Sequence, residues 1–108
     1  MEEFFIIDNR EAWRKQRYIS MDKLGGNYTW DINKAERFTR RQISDGWAGR
    51  TIYGDREKLF VPCDVVERLS FPHPAEGDGY EGHGPVLLRH QAIIEELRKV
   101  SLQVGGRQ

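Results

Sequence analysis

Phe4-Phe5-Ile6-Ile7-Asp8-Asn9 is the stretch on which the fold turns. Four bulky apolar residues, two of them β-branched, run without a polar interruption into a turn pair, which predicts a buried first strand over 3–8. Working outward, Asn9 to Gln16 holds helix formers and an Asp8/Glu11 pair at capping-box spacing but lacks a second apolar turn, so a single helical turn or an ordered loop is expected there. Arg17-Tyr18-Ile19-Ser20-Met21 reads as a second strand that ends at the Gly25-Gly26-Asn27 turn signal. Tyr28-Thr29-Trp30 alternates large and small residues and leads to Asp31, a good N-cap for a short helix over 32–38 whose Ile32, Ala35 and Phe38 share one face. A second start signal follows at once. Thr39 and Gln42 have capping-box spacing, and Phe38 and Ile43 occupy the two places of a hydrophobic staple, so the helical region should break near Phe38 and resume to about Gly46.

Arg50-Thr51-Ile52-Tyr53 and Lys58-Leu59-Phe60-Val61 flank Gly54-Asp55-Arg56-Glu57, the pattern of a hairpin whose second arm stops at Pro62. Val65, Glu67, Leu69 and Phe71 keep a two-residue register that predicts another strand. Residues 72–84 carry four of the eleven glycines and two of the four prolines and read as a loop. Pro85 suits a first helical position, and a helix is expected from there to about Val100, with Leu87, Ile94 and Leu97 on one stripe and a Glu95/Lys99 pair on the wet face. The expected fold is α+β: a small, mainly antiparallel sheet of four or five strands with the broken 32–46 helix on one face. A C-terminal helix over 85–104 follows the Gly-rich loop and packs on the same face or on a partner. Residues 1–71 would form the compact core of a single domain.

A chain of 108 residues suits one domain, and 38 % apolar against 31 % charged residues implies a lean core under a dense charged surface. Three Trp, four Tyr and five Phe must supply much of the buried area. Lys plus Arg and Asp plus Glu both number 17, so any electrostatic partner has to be met by a local patch. Cys63 is the only cysteine, which excludes an internal disulfide. With acidic residues at positions 2 and 3 and no apolar run near 18 residues, the chain is expected to stay in the cytosol.

Gly77-Asp78-Gly79-Tyr80-Glu81-Gly82 spells GxGxxG ahead of a helix, but a dinucleotide site needs a βαβ unit around it, and Glu76, Asp78 and Glu81 would repel a pyrophosphate. His73, His83, His90 and Cys63 lack the short spacings that hold zinc, and neither a calcium loop nor a nucleophile elbow occurs, so no metal, cofactor or catalytic residue is expected. The basic stretch Lys34, Arg37, Arg40 and Arg41 would stack its side chains if the helix ran nearly continuously, with Trp30, Tyr28 and Trp47 close in sequence. Such a face could grip phosphates or an acidic protein patch, or simply be a solvated face with Glu36 pairing to Arg40.

Tyr18-Ile19-Ser20 followed by Trp30-Asp31-x-x-Lys34-Ala35-x-x-Phe38-Thr39 resembles a loose class of short phage and prophage proteins, over roughly residues 3–70. The resemblance implies a β-hairpin, a Trp ahead of a Lys-Ala-x-x-Phe helix and a return to a strand, in a class that includes anti-CRISPR-like inhibitors of host defence. The expectation is a non-enzymatic accessory protein that binds stoichiometrically to a host protein or ribonucleoprotein complex. Acids at 76–81 (Glu76, Asp78, Glu81) or within 55–67 would imitate phosphates toward a basic partner. The alternatives are a nucleic-acid-binding module using Lys34, Arg37, Arg40 and Arg41, and a small enzyme with a site near His83. The stripe of Leu87, Ile94 and Leu97 is expected to serve a homodimer or a partner.

Overall fold

In the computed structural model the described residues are 2–23, 27–45, 52–53, 56–72 and 84–102. The first strand, β1, spans Glu3–Asp8 as its apolar run predicts, and it is the centre of the sheet. The other strands are β2 (Ser20–Lys23), β3 (Asn27–Thr29), β4 (Phe38–Thr39), β5 (Ile52–Tyr53) and β6 (Arg56–Pro62). The antiparallel path runs β3-β2-β1-β6-β5, with β4 as a short extra partner of β1. One edge of β1 is zipped along its length to β6, from Phe4 against Pro62 to Asp8 against Lys58. Its other edge is shared, Ile7 and Asp8 pairing with β2 while Glu3 and Phe4 pair with β4. The fold is therefore α+β with a mainly antiparallel sheet.

A central strand presents alternate residues to opposite faces. Phe5 and Ile7 join Leu59 and Val61 in one core, and Phe4 and Ile6 join Phe60 in another. Both faces are covered, which is why β1 is apolar without alternation. The helices are α1 (Arg40–Ser44), α2 (Cys63–Leu69) and α3 (Gln91–Val100). Ile43 of α1 packs with Phe4 and Phe38, whereas Val66 of α2 and Leu97 of α3 pack with Phe5 and Ile7. The expected placement of the 32–46 region and the C-terminal helix on one face is thus corrected: α1 and α3 lie on opposite faces.

The reason is visible in residues 31–44. Asp31 caps as its position predicts, its Oδ1 accepting from the Asn33 amide at 2.9 Å, but only a 3-10 turn forms, Ile32–Lys34. Ala35 turns extended, and the chain then crosses the rim of the sheet as β4 before α1 begins. Thr39 is the N-cap of α1, with both arms of the capping box made: Gln42 N donates to Thr39 Oγ1 at 3.1 Å and Thr39 N to Gln42 Oε1 at 2.8 Å. Ile32 and Ala35 stay in the Phe5 core while Phe38 and Ile43 enter the Phe4 core, so the break is a passage between faces.

Several boundaries differ from expectation. Asp8 does not cap a helix with Glu11; its buried carboxylate takes two bonds from the Arg10 guanidinium, at 2.9 and 3.2 Å, ahead of the 3-10 turn Glu11–Trp13. The Tyr53–Arg56 pairing leaves two residues between the hairpin arms, so Arg56 and Glu57 belong to β6. Residues 65–71 are not a strand. After Pro62 the chain turns helical, and Cys63, Val66 and Leu69 recur every three residues on the face that meets the core.

The C-terminal helix starts at Gln91, not at Pro85. Residues 84–90 form an extended strap, in which Val86 exchanges backbone hydrogen bonds with Phe71 at 2.7 and 3.0 Å. On its other side Ile19 N donates to Leu87 O at 2.9 Å and Arg89 N to Arg17 O at 2.8 Å, so Arg17 to Ile19 pair with the strap rather than extending β2. Gly84 lies on the Asp31 cap, where a Cβ would press into the Asp31 carboxyl and within 2.9 Å of Asn33 Nδ2. Beyond α3, Phe60 N donates to Ser101 Oγ and Leu102 N to Phe60 O, closing the free edge of β6. No helix among the described residues is long and apolar enough to cross a membrane.

Candidate functional site

Breaking the 32–46 helix dissolves the basic stack predicted from it. Lys34 ends the 3-10 turn, Arg37 lies in the extended link, and Arg40 and Arg41 open α1. Arg37 pairs with Glu67 at 2.6 Å and faces Glu3 at 3.8 Å, Arg40 pairs with Glu2 rather than Glu36, and Arg41 lies 3.8 Å from Asp45. Trp30 donates its indole N–H to Ser20 Oγ and meets Tyr18 edge-on at 5.2 Å. The Tyr28 hydroxyl accepts from Arg10, whose guanidinium sits 3.9 Å over the Trp13 ring.

The other predicted sites fare differently. Glu76, Asp78, Glu81, Trp47, His73 and His83 lie outside the described residues, as does the GxGxxG segment. Of the 55–67 acids, Glu57 is engaged by Arg98 and Glu67 by Arg37. Leu87 and Leu97 are fully buried in the chain's own Phe5 core and Ile94 packs against it, which corrects the reading of that stripe as an open face for a second copy or partner. Cys63 is buried in an acidic recess, and burial first of all pushes its thiol up to about 11, so it is protonated at neutral pH and a poor nucleophile. Among the described residues no group of three or more His, Cys, Asp or Glu side chains could hold a metal ion.

A different set of side chains converges where the turn 9–19, the strap and one side of α3 meet. They line an open groove of about 950 Å³ that includes Arg14, Lys15, Arg17, Arg89, His90 and Arg98 and has no acidic side chain among its described lining residues. The floor is built around Asn9, which is buried next to β1 and continues the β6 ladder through a 2.8 Å bond from its amide to Glu57 O. Asn9 Nδ2 donates to Glu57 Oε1 at 3.0 Å, and Asn9 Oδ1 accepts from Arg89 Nη1 at 2.7 Å. Arg89 also donates to Gln16 O at 3.0 Å and Tyr18 O at 3.4 Å. All three acceptors are neutral, and no carboxylate lies within ion-pair distance of Arg89 among the described residues.

Burial, and then the like charge of Arg14, pull the Arg89 guanidinium below its ordinary pKa, yet it remains a cation. Among the described residues it is thus a half-buried positive charge held by dipoles rather than by an opposite charge. Glu57 sits at the rim, accepting from Arg98 at 2.9 and 2.8 Å and lying 3.9 Å from Arg14. Burial works to raise its carboxyl, but the bonds from Arg98 and Asn9 and the charges of Arg98 and Arg14 outweigh it, so its pKa lies below the usual value. The groove's apolar lining includes Leu88 and Ile94, both half-buried, and Phe71, which is 41 % exposed, the large hydrophobic residue most open to solvent among the described residues.

None of these groove residues was singled out by sequence as a set, because Arg14 to Arg17, Phe71 and Arg89 are brought together only by the strap's pairing. The local signal in the sequence was density: three cations within Arg14-Lys15-Gln16-Arg17, with Arg89 beside His90 further along. Compared with protein-family models, curated proteins and solved structures, the chain matches none of them.

Proposed function

We propose that this chain acts by stoichiometric binding, and that its binding surface is the basic groove, which takes a phosphate- or sulfate-bearing polymer. The observation that carries the reading is Arg89, a guanidinium oriented by Asn9 and two backbone carbonyls with no carboxylate at ion-pair distance among the described residues. Arginines held this way suit the oxygens of a polyanion, since guanidinium N–H groups bond phosphate directionally as well as by charge. Lys15, exposed at the same groove and without a carboxylate partner among the described residues, adds a flexible cation. The phage-accessory role implied by resemblance fits this reading if it acts in a host cytosol. Inhibition of a defence ribonucleoprotein would then run through its nucleic acid rather than through acids that imitate phosphate.

Heparin binding followed across a salt series tests it. Affinity should fall linearly with the logarithm of salt concentration. Arg14→Glu with Lys15→Glu should weaken binding by about tenfold or more at low salt, while Arg40→Glu with Arg41→Glu should change it by less than about twofold. Equal losses in the two variants, or no binding at low salt, would remove the groove from consideration.

A further inference from the structure

We infer that the polymer accepted by the groove is single-stranded nucleic acid, with a base stacked on Phe71 and an adjoining phosphate held by Arg89. This rests on the anion-binding reading and adds a substrate class to it. A site for anions alone has no use for an open aromatic ring, yet Phe71 shares the groove with Arg89 and Leu88. The backbone that carries the ring is also tied to the strap. The Phe71 backbone exchanges two hydrogen bonds with Val86, three residues before Arg89 on the strap, so that pairing sets the platform's backbone beside the segment that carries the cation.

Arg89 has donors to spare. A guanidinium carries five N–H groups, and three of them reach protein oxygens, which leaves two for a ligand. Single strands offer what this pairing needs, because every base has an unstacked face for an aromatic ring and the backbone runs beside it. A duplex keeps those faces covered by its own stacking and pairing.

The test compares a labelled oligothymidylate, an oligouridylate, a duplex of the same length and heparin on the full chain by fluorescence anisotropy. Both single strands should bind at least about tenfold tighter than the duplex. Phe71→Ala should weaken single-strand binding by about five- to a hundredfold and leave heparin affinity unchanged, whereas Phe71→Trp should retain or improve single-strand binding. A thermal melt of each variant separates lost stacking from lost fold, and the Trp variant decides the matter if the Ala variant does not fold. Equal affinity for duplex and single strand, or equal loss of heparin and single strand in Phe71→Ala, overturns the inference while the anion-binding reading stands. Failure of heparin and of both single strands to bind overturns both.

Discussion

Arg37, Arg40 and Arg41 on one hand, and Arg89 with Lys15 on the other, are the same kinds of side chain set in opposite electrostatic company. Each of the first three has a carboxylate within 4 Å, supplied by Glu67, Glu2 and Asp45. Arg89 is surrounded by neutral oxygens, and Lys15 has no carboxylate beside it among the described residues. A cation with a carboxylate at contact projects little field, and an exposed pair of this kind contributes only about 0–1 kcal/mol. A cation aligned by dipoles keeps its charge for a ligand. Density of basic residues along the chain therefore marks both regions alike; the pattern of pairing tells them apart.

The two regions also differ in depth, and removing the strap is the harshest way to probe that. Val86, Leu87 and Leu97 are fully buried, and truncating a single buried leucine costs about 2–5 kcal/mol against a total stability of about 5–15 kcal/mol. Residues 1–84 alone should show no cooperative denaturant transition. A truncated chain that still unfolds cooperatively and binds heparin would mean that the strap neither closes the core nor builds the groove.

Glu57→Gln acts at the groove's rim with a smaller effect. At neutral pH it should cost about 1–2 kcal/mol through the weakened Arg98 bonds, and it should tighten heparin binding by leaving Arg14 and Arg98 unneutralised. The folded-state pKa of Glu57 is lowered, so the stability it supplies is complete above the unfolded value near 4.5 and fades as pH falls through the lower folded value. Denaturant midpoints of wild type and variant should differ at pH 7 and converge in strong acid; a gap that persists there would assign the effect to packing.

Smallest is Thr39→Ala, which removes one arm of the capping box at α1 and should cost about 0.5–2 kcal/mol. Heparin affinity should not move. An unchanged denaturant midpoint would show that the cap holds nothing, and a fall in affinity would couple the two basic regions that the structure keeps apart.

Local chemistry made part of this fold legible. β1 announces itself through four apolar residues that need cover on both faces, and the caps at Asp31 and Thr39 are read from side chains acting two or three residues away. Where two periods compete, sequence was no guide: Val65, Glu67, Leu69 and Phe71 fit a strand, but the three-residue recurrence of Cys63, Val66 and Leu69 prevails once Pro62 has turned the chain over the sheet. Pro85 and Leu87 likewise fit a helix start, and the backbone pairing of 86–89 with Phe71 and with 17–19 overrides that propensity. The groove was illegible for the same reason, since Asn9, Phe71 and Arg89 meet through contacts no local pattern encodes.

The shared edge of β1 has a consequence for the order of assembly. In a chain made from its N-terminus, β1 emerges first, yet its long partner β6 reaches it only when Lys58 to Pro62 exist, and the strand that completes its other edge comes from Phe38 and Thr39. Until then Phe4 to Ile7 offer a bare backbone edge and two uncovered apolar faces, the features that invite aggregation and slow, non-local folding. The most deeply buried strand of the finished molecule is therefore the nascent chain's most vulnerable segment, and the β2–β3 hairpin, local in sequence and able to dock on Ile7 and Asp8, is its earliest available shield.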